Sequence, residues 1–230
     1  MNILQSKKVK TEDWKGLSEP KLLAIGHDPR LHDSYTIAPH CFFANYYFEP
    51  VPTKTNEKKK YGLAKTLFDS LLDITDNKIS AKEIYVTNLC NYALPQVSKG
   101  KTVYIPEEKA KQGLDNIKSI ISDSNIFLII SMSTQVNYWL QKLNYYNSND
   151  DYLKFAEPVY KYTKLQNPYY IPNRRDNLFQ KICGRKFIIN NNVFLFPALH
   201  PKSYTLNRKY YKQYYDKMKK EIKDIIELKN

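Results

Sequence analysis

The sequence predicts a three-layer α/β domain, with a central four-stranded parallel sheet flanked by helices. Two observations lead there. Four short apolar runs, at 21–26, 83–88, 125–131 and 193–197, are continuous rather than alternating, as expected of strands covered on both faces. The stretches between and after them carry apolar residues at helical spacing.

Each element can be justified in order. The first run, Leu22-Leu23-Ala24-Ile25, ends at Gly26. A helical stripe follows at Ala64, Leu67, Phe68, Leu71 and Leu72, and Lys58-Lys59-Lys60 before it reads as a loop. The second run ends at Asn88 and is followed by a stripe at Ala110, Leu114, Ile117 and Ile121. The third ends in Ser131-Met132-Ser133. From Tyr138 to about Lys186 the alternation breaks down: the segment is rich in Tyr and Asn, contains Arg174-Arg175, and has too little periodicity for a helix or strand assignment. It reads as an insertion, at about 138–186, within a single domain spanning 1–230. After the fourth run, Tyr211, Tyr215, Met218, Ile222 and Ile225 form a C-terminal stripe. The lysines of that helix lie mostly off the stripe, as a solvated face or a DNA contact would.

Composition limits the function classes. A chain of 230 residues with 42% hydrophobic content fills a sizeable core, which argues against intrinsic disorder. No apolar run approaches the ~18 residues of a membrane span, and the N-terminus lacks the pattern of a signal peptide. The three cysteines, Cys41, Cys90 and Cys183, have no CxxC spacing; they suit reduced thiols in the cytoplasm, without a structural metal. Lys and Arg number 36 against 23 Asp and Glu, a net charge of +13. With 20 Tyr interleaved among the cations, this balance suits phosphate neutralisation and base stacking, although an AT-rich genome inflates the same residue types.

In open parallel sheets, functional groups gather at the carboxyl ends of strands. Here those ends carry Gly26-His27-Asp28-Pro29-Arg30, then Cys41-Phe42 a little later, Asn88, Ser133, and His200-Pro201-Lys202-Ser203-Tyr204. Taken singly, each has an ordinary explanation: Asp28 as a turn former, Asn88 as a strand-end cap, His200 as a loop histidine, Phe42 as core. Taken together and in this order, they place an acid, an aromatic ring, an amide and an imidazole on one rim.

This ordered set resembles the uracil-DNA glycosylase superfamily, most closely its classical uracil-DNA glycosylase branch, from about residue 21 to 218 apart from the insertion. Gly26-His27-Asp28-Pro29-Arg30 is similar to that family's Gly-Gln-Asp-Pro-Tyr motif, Cys41-Phe42 to its Cys-Phe, and Pro50-Val51-Pro52 to its proline loop. Asn88 matches its strand-ending Asn, Met132-Ser133 its Gly-Ser phosphate loop, and His200-Pro201-Lys202-Ser203-Tyr204 its His-Pro-Ser-Pro-Leu motif.

The resemblance implies a monofunctional DNA glycosylase, a cytoplasmic monomer without cofactor or metal, that flips out a pyrimidine and hydrolyses its N-glycosidic bond to leave an abasic site. Asp28 would stabilise the cationic sugar and orient water, and neutral His200 would donate to O2 of the leaving base. Phe42 would stack on the base and Asn88 read its Watson–Crick edge, with His27 and Arg30 also lining the base site. Ser133, Lys202 and Ser203 would hold phosphates, Tyr204 would fill the vacated space in the duplex, and Arg174 and Arg175 would extend the DNA contact.

Departures from the family pattern bear on the substrate. Arg30 stands where the family has a tyrosine that blocks a C5 methyl, His27 replaces a glutamine, and Met132 a glycine. The insertion carries nine basic residues against four acidic ones. A flexible cation at position 30 leaves space for a C5 substituent, and the Asn88 amide can present either its donor or its acceptor. Uracil and C5-modified pyrimidines such as those of phage DNA are both expected substrates, in DNA repair or antiphage defence. The alternative is a non-catalytic DNA-binding or replication-accessory protein that keeps the fold.

Overall fold

The computed structural model describes residues 10–27, 39–92, 105–147, 179–190 and 192–229, the side chains at 202–208 excepted. The fold is mixed α/β, a mostly parallel sheet flanked by helices. In chain order the elements are β1 (Leu22–Gly26), a 3₁₀ helix (Cys41–Phe48), α1 (Thr55–Ile74), β2 (Ile84–Asn88), α2 (Glu107–Ser122), β3 (Leu128–Met132), α3 (Thr134–Lys142), β4 (Phe187–Asn190), β5 (Val193–Ala198) and α4 (Pro201–Lys229). No helix among the described residues is long and apolar enough to cross a membrane.

The sheet order is β2-β1-β3-β5-β4. All five residues of β1, of β2 and of β3 are buried, and since side chains alternate between faces, both faces of these strands are covered. The chain leaves β1 towards β2 and then returns across it to β3. The carboxyl ends of β1 and β3 therefore flank the point where the strand order reverses, the usual place for a crevice in such sheets.

The expectation of a purely parallel four-stranded sheet is corrected here: the four predicted runs pair in parallel, and β4 adds a fifth, antiparallel edge strand. Turn chemistry dictates this. The Asn190 side chain accepts the backbone N–H groups of Asn192 and Val193, each at 2.9 Å, closing a tight turn into β5. So short a connection joins only antiparallel strands. Burial in β4 alternates, with Ile188 exposed, as befits an edge strand with one solvated face. On the opposite edge the N-terminal segment covers β2: Trp14 and Val86 exchange backbone hydrogen bonds of 2.9 and 2.8 Å, and the Thr11 N–H reaches the Asn91 carbonyl at 2.8 Å.

The helical stripes lie where the spacing placed them. Ala64, Leu67, Phe68 and Leu71 are buried on α1, Ala110, Leu114 and Ile117 on α2, and Tyr211, Tyr215, Met218, Ile222 and Ile225 on α4. On α1, Leu72 is only half-buried, and on α2, Ile120 is buried rather than Ile121. Helices α1 and α4 pack on each other; Lys219 of α4 pairs with Asp73 of α1, and Glu227 of α4 with Lys78 in the turn after α1, each at 2.5 Å. Two local readings change. Lys58-Lys59-Lys60 lies within α1, not in a loop. The stretch starting at Tyr138 completes α3, in which every residue from Gln135 to Gln141 is buried. Three of those buried residues, Gln135, Asn137 and Gln141, are amides, so polarity along α3 does not mark a solvated face.

Helix α2 approaches β2 closely at one point. A Cβ on Gly113 would lie 1.7 Å from the carbonyl oxygen of Leu89, the residue after Asn88. Gly113→Ala is expected to cost about 1–3 kcal/mol through overpacking, whereas Gly62→Ala, with nothing within 4 Å of the new methyl, should stabilise by up to about 1 kcal/mol. Urea unfolding of the two variants checks the contrast; equal midpoints would contradict the close approach.

Candidate functional site

The β1–β2 register sets Gly26 directly beside Asn88. The pairing continues past the strand ends, where the Leu89 N–H donates to the Gly26 carbonyl at 2.9 Å and the Cys90 N–H to the His27 carbonyl at 3.1 Å. A Cβ on Gly26 would lie 2.1 Å from Cε2 of Phe42 and 2.4 Å from Oδ1 of Asn88. Only glycine leaves room for both. The Phe42 ring in turn stacks on His200, with centroids 5.4 Å apart and planes inclined by 25°. Phe42 and Asn88, singled out in the sequence, thus meet at Gly26, and His200, from the connection between β5 and α4, joins them through the Phe42 ring.

Phe42 reaches this place at a conformational cost. Its φ is +56°, as is that of Phe43, and left-handed backbone costs about 1–2 kcal/mol per non-glycine residue. The pair is held by the Cys41 N–H on the Glu12 carbonyl at 2.9 Å, the Phe43 N–H on the His40 carbonyl at 3.0 Å, and the buried Phe43 ring. Observed strain of this kind points towards function.

Ser133 follows β3 with φ at +127°. Its hydroxyl accepts the Val136 N–H at 3.3 Å and so caps α3, while its own N–H donates to the Ala198 carbonyl at 3.2 Å. His27 is half-buried just past β1. Lys202, Ser203 and Tyr204 lie near the start of α4, and their side chains are outside the described residues. Asp28, Arg30, Arg174 and Arg175 also lie outside them.

Sequence reasoning missed the polar centre beside this cluster. Asp13 accepts from the Thr87 hydroxyl at 2.7 Å, Asn91 Nδ2 at 2.8 Å, Asn116 Nδ2 at 3.2 Å and the Tyr85 hydroxyl at 3.3 Å. Next to it, Asn88 Nδ2 donates to Cys41 Sγ at 3.3 Å, and Cys41 Sγ donates to Asn91 Oδ1 at 3.4 Å. A cavity of about 430 Å³ opens here, lined in part by Asp13, Asn88, Asn91, Tyr92, Lys109 and Asn116. Of the clustered residues, only Asn88 reaches it, so the cavity lies behind the amide and not over Phe42 and His200. Among the described residues, no group of three or more His, Cys, Asp or Glu side chains is arranged to hold a metal ion.

Burial, reinforced by the Asp13 charge, pushes the Cys41 thiol well above its ordinary value, and the same two causes raise the Tyr85 hydroxyl. Burial likewise raises Cys183, Tyr145 and Tyr146. The folded state keeps protons that the unfolded chain releases near 9.0 for thiols and 10.0 for phenols. Stability is therefore full below those values and is lost progressively above them, as the pH climbs towards the raised folded values. The urea midpoint is expected to hold up to about pH 9 and to fall progressively from there to about pH 11; a midpoint flat over that range would contradict neutral burial of these groups. No family model matches the chain and no curated protein is similar to it in sequence, so the site's chemistry is read from its own residues.

Proposed function

We propose that the protein is a monofunctional DNA glycosylase with a uracil-DNA glycosylase-like fold, which flips a pyrimidine out of DNA and hydrolyses its N-glycosidic bond. The observation that supports this reading is the meeting of Phe42 and Asn88 at Gly26, two residues before Asp28 in the chain, with His200 stacked on the Phe42 ring. Dissociation of the glycosidic bond leaves positive charge on the sugar and negative charge on the base. Asp28 answers the first by stabilising the cation and orienting water. His200 answers the second by donating to O2, a contribution of the kind whose removal costs about 10²–10³ in rate. Phe42 supplies the stacking face and Asn88 the edge contact. The protein acts as a cytoplasmic monomer without cofactor, in DNA repair or antiphage defence.

The 5.4 Å contact between Phe42 and His200 bears on how a base enters. A base sandwiched between two rings needs a centroid separation of about 7 Å. In this reading, entry moves His200 from the face of Phe42 to the edge of the base, where its N–H meets O2.

Incubation with DNA containing uracil, 5-hydroxymethyl or glycosylated pyrimidines should generate alkali-labile abasic sites. Asp28→Asn and His200→Ala should lower that excision by orders of magnitude while DNA affinity is nearly retained, because both groups act on charge that develops in the transition state. Failure to release any base in the panel, with DNA binding intact, would favour a replication-accessory binder on the same fold.

DNA affinity should also fall steeply with salt, at ~0.9 in log K per unit of log salt for each phosphate neutralised on duplex. Charge reversal at Arg174 and Arg175 is expected to flatten the slope. The parent slope in that variant would remove the insertion from the DNA interface.

A further inference from the structure

A side-chain amide in a base pocket reads opposite patterns depending on which end it presents: its oxygen takes an N–H, and its nitrogen takes a lone pair. Uracil carries an N–H at position 3 of its Watson–Crick edge, whereas cytosine carries a lone pair there. The orientation of Asn88 therefore decides between keto and amino pyrimidines, and groups outside the pocket determine that orientation.

The chain of constraints starts at Asp13. A carboxylate only accepts, so Asn91, with Nδ2 2.8 Å from Asp13 Oδ1, turns its NH₂ end to the acid. Its carbonyl then faces Cys41, 3.4 Å from Sγ. A thiol has one proton, and it points to this side, where Asn91 Oδ1 and, at 4.0 Å, Asp13 Oδ1 are both acceptors. The sulfur is left only lone pairs for Asn88, which accordingly directs Nδ2 at it from 3.3 Å. Asn88 Oδ1 then faces Gly26 and the Phe42 ring. Burial favours the protonated thiol that this chain requires. Thr87, Tyr85 and Asn116 occupy the remaining acceptor sites of Asp13 and hold it in place.

We propose that Asp13 is a positioning residue which, through Asn91 and Cys41, holds the Asn88 oxygen towards the base, so that the pocket selects keto pyrimidines over amino pyrimidines. This rests on the glycosylase reading and resolves what a lone asparagine leaves open. The N-terminal segment along β2 thereby sets specificity without touching the substrate.

The test compares affinities for duplexes carrying 2′-fluoro-deoxyuridine or 2′-fluoro-deoxycytidine, whose glycosidic bonds resist cleavage, so that leaving-group chemistry does not enter. The parent should bind the uridine duplex at least tenfold more tightly. Asp13→Asn, and independently Asn91→Leu should the first fail to fold, should narrow that ratio to within threefold. A second readout is independent of DNA: the infrared S–H stretch of Cys41, isolated by subtracting the Cys41→Ala spectrum, should shift in both variants as its acceptor is lost. A parent preference for cytidine, equal parent affinities, an unchanged ratio in the variants, or an unmoved S–H stretch would each overturn the proposal. Abasic product from the parent together with an unchanged ratio in the variants would reject the positioning role and leave the glycosylase reading standing. Absence of abasic product from every substrate in the excision panel would reject the glycosylase reading, and the base-selection claim with it.

Discussion

The space left by the missing side chain of Gly26 is the constraint on which the candidate site depends. Parallel pairing puts Gly26 level with Asn88, and the ring edge of Phe42 enters the same gap from the 3₁₀ helix. Any larger residue would separate the amide from the ring, and with the ring would go its stacking partner His200. The sheet register and the site are therefore one problem: a one-residue slip between β1 and β2 would turn Asn88 to the other face and bring a Cβ into the gap. Complete burial of β1 and β2 on both faces opposes such a slip, because every residue would have to repack.

Buried amides tie down the ends of two of the parallel strands. Asn137 is fully buried and satisfied at both ends: Nδ2 donates to the Ser131 and Ser133 carbonyls at 3.1 and 2.8 Å, and Oδ1 accepts from the Ser131 and Tyr146 hydroxyls at 2.7 and 2.9 Å. This bonding grips Ser133 at a φ of +127° that a serine does not adopt by preference. Asn88 does the corresponding work at the end of β2. Two of the four parallel strands thus deliver their terminal residues through amides whose hydrogen bonds tolerate little displacement.

The parallel strands and the helical stripes were legible because burial on both faces, or on one, leaves a period in the sequence. Phe42, Asn88 and His200 were legible as strand-end and loop residues in a fixed order, and their proximity follows from the topology. Three things left no such trace. Helix α3 is short and buries the amides Gln135, Asn137 and Gln141, so its polar residues do not point to a solvent-facing side as those of α1, α2 and α4 do. Strand β4 depends on the Asn190 side chain closing a turn, a local bond that hydrophobic patterning does not register. Asp13 sits in an N-terminal stretch without periodicity, and its partners Tyr85, Thr87, Asn91 and Asn116 come from β2, the residues after it and α2. Each of those partners alone reads as an ordinary polar residue.

Magnitudes indicate what the Asp13 centre does best. A satisfied hydrogen bond contributes only about 0.5–1.5 kcal/mol net to folding, while a buried group left without a partner costs about 1–3 kcal/mol. Its weight therefore falls on orientation more than on stability: turning Asn91 would set its carbonyl oxygen against a carboxylate, and turning Asn88 would set an oxygen against a sulfur whose one proton points elsewhere. A penalty of about 1–3 kcal/mol corresponds to a preference of roughly 5- to 150-fold for one arrangement, enough to fix an amide that would otherwise present either end. The segment that blunts the edge of β2 is the same one that places this carboxylate. In the proposed glycosylase, edge protection and base reading would thus draw on a single stretch of chain, and loosening Trp14 from Val86 would weaken both.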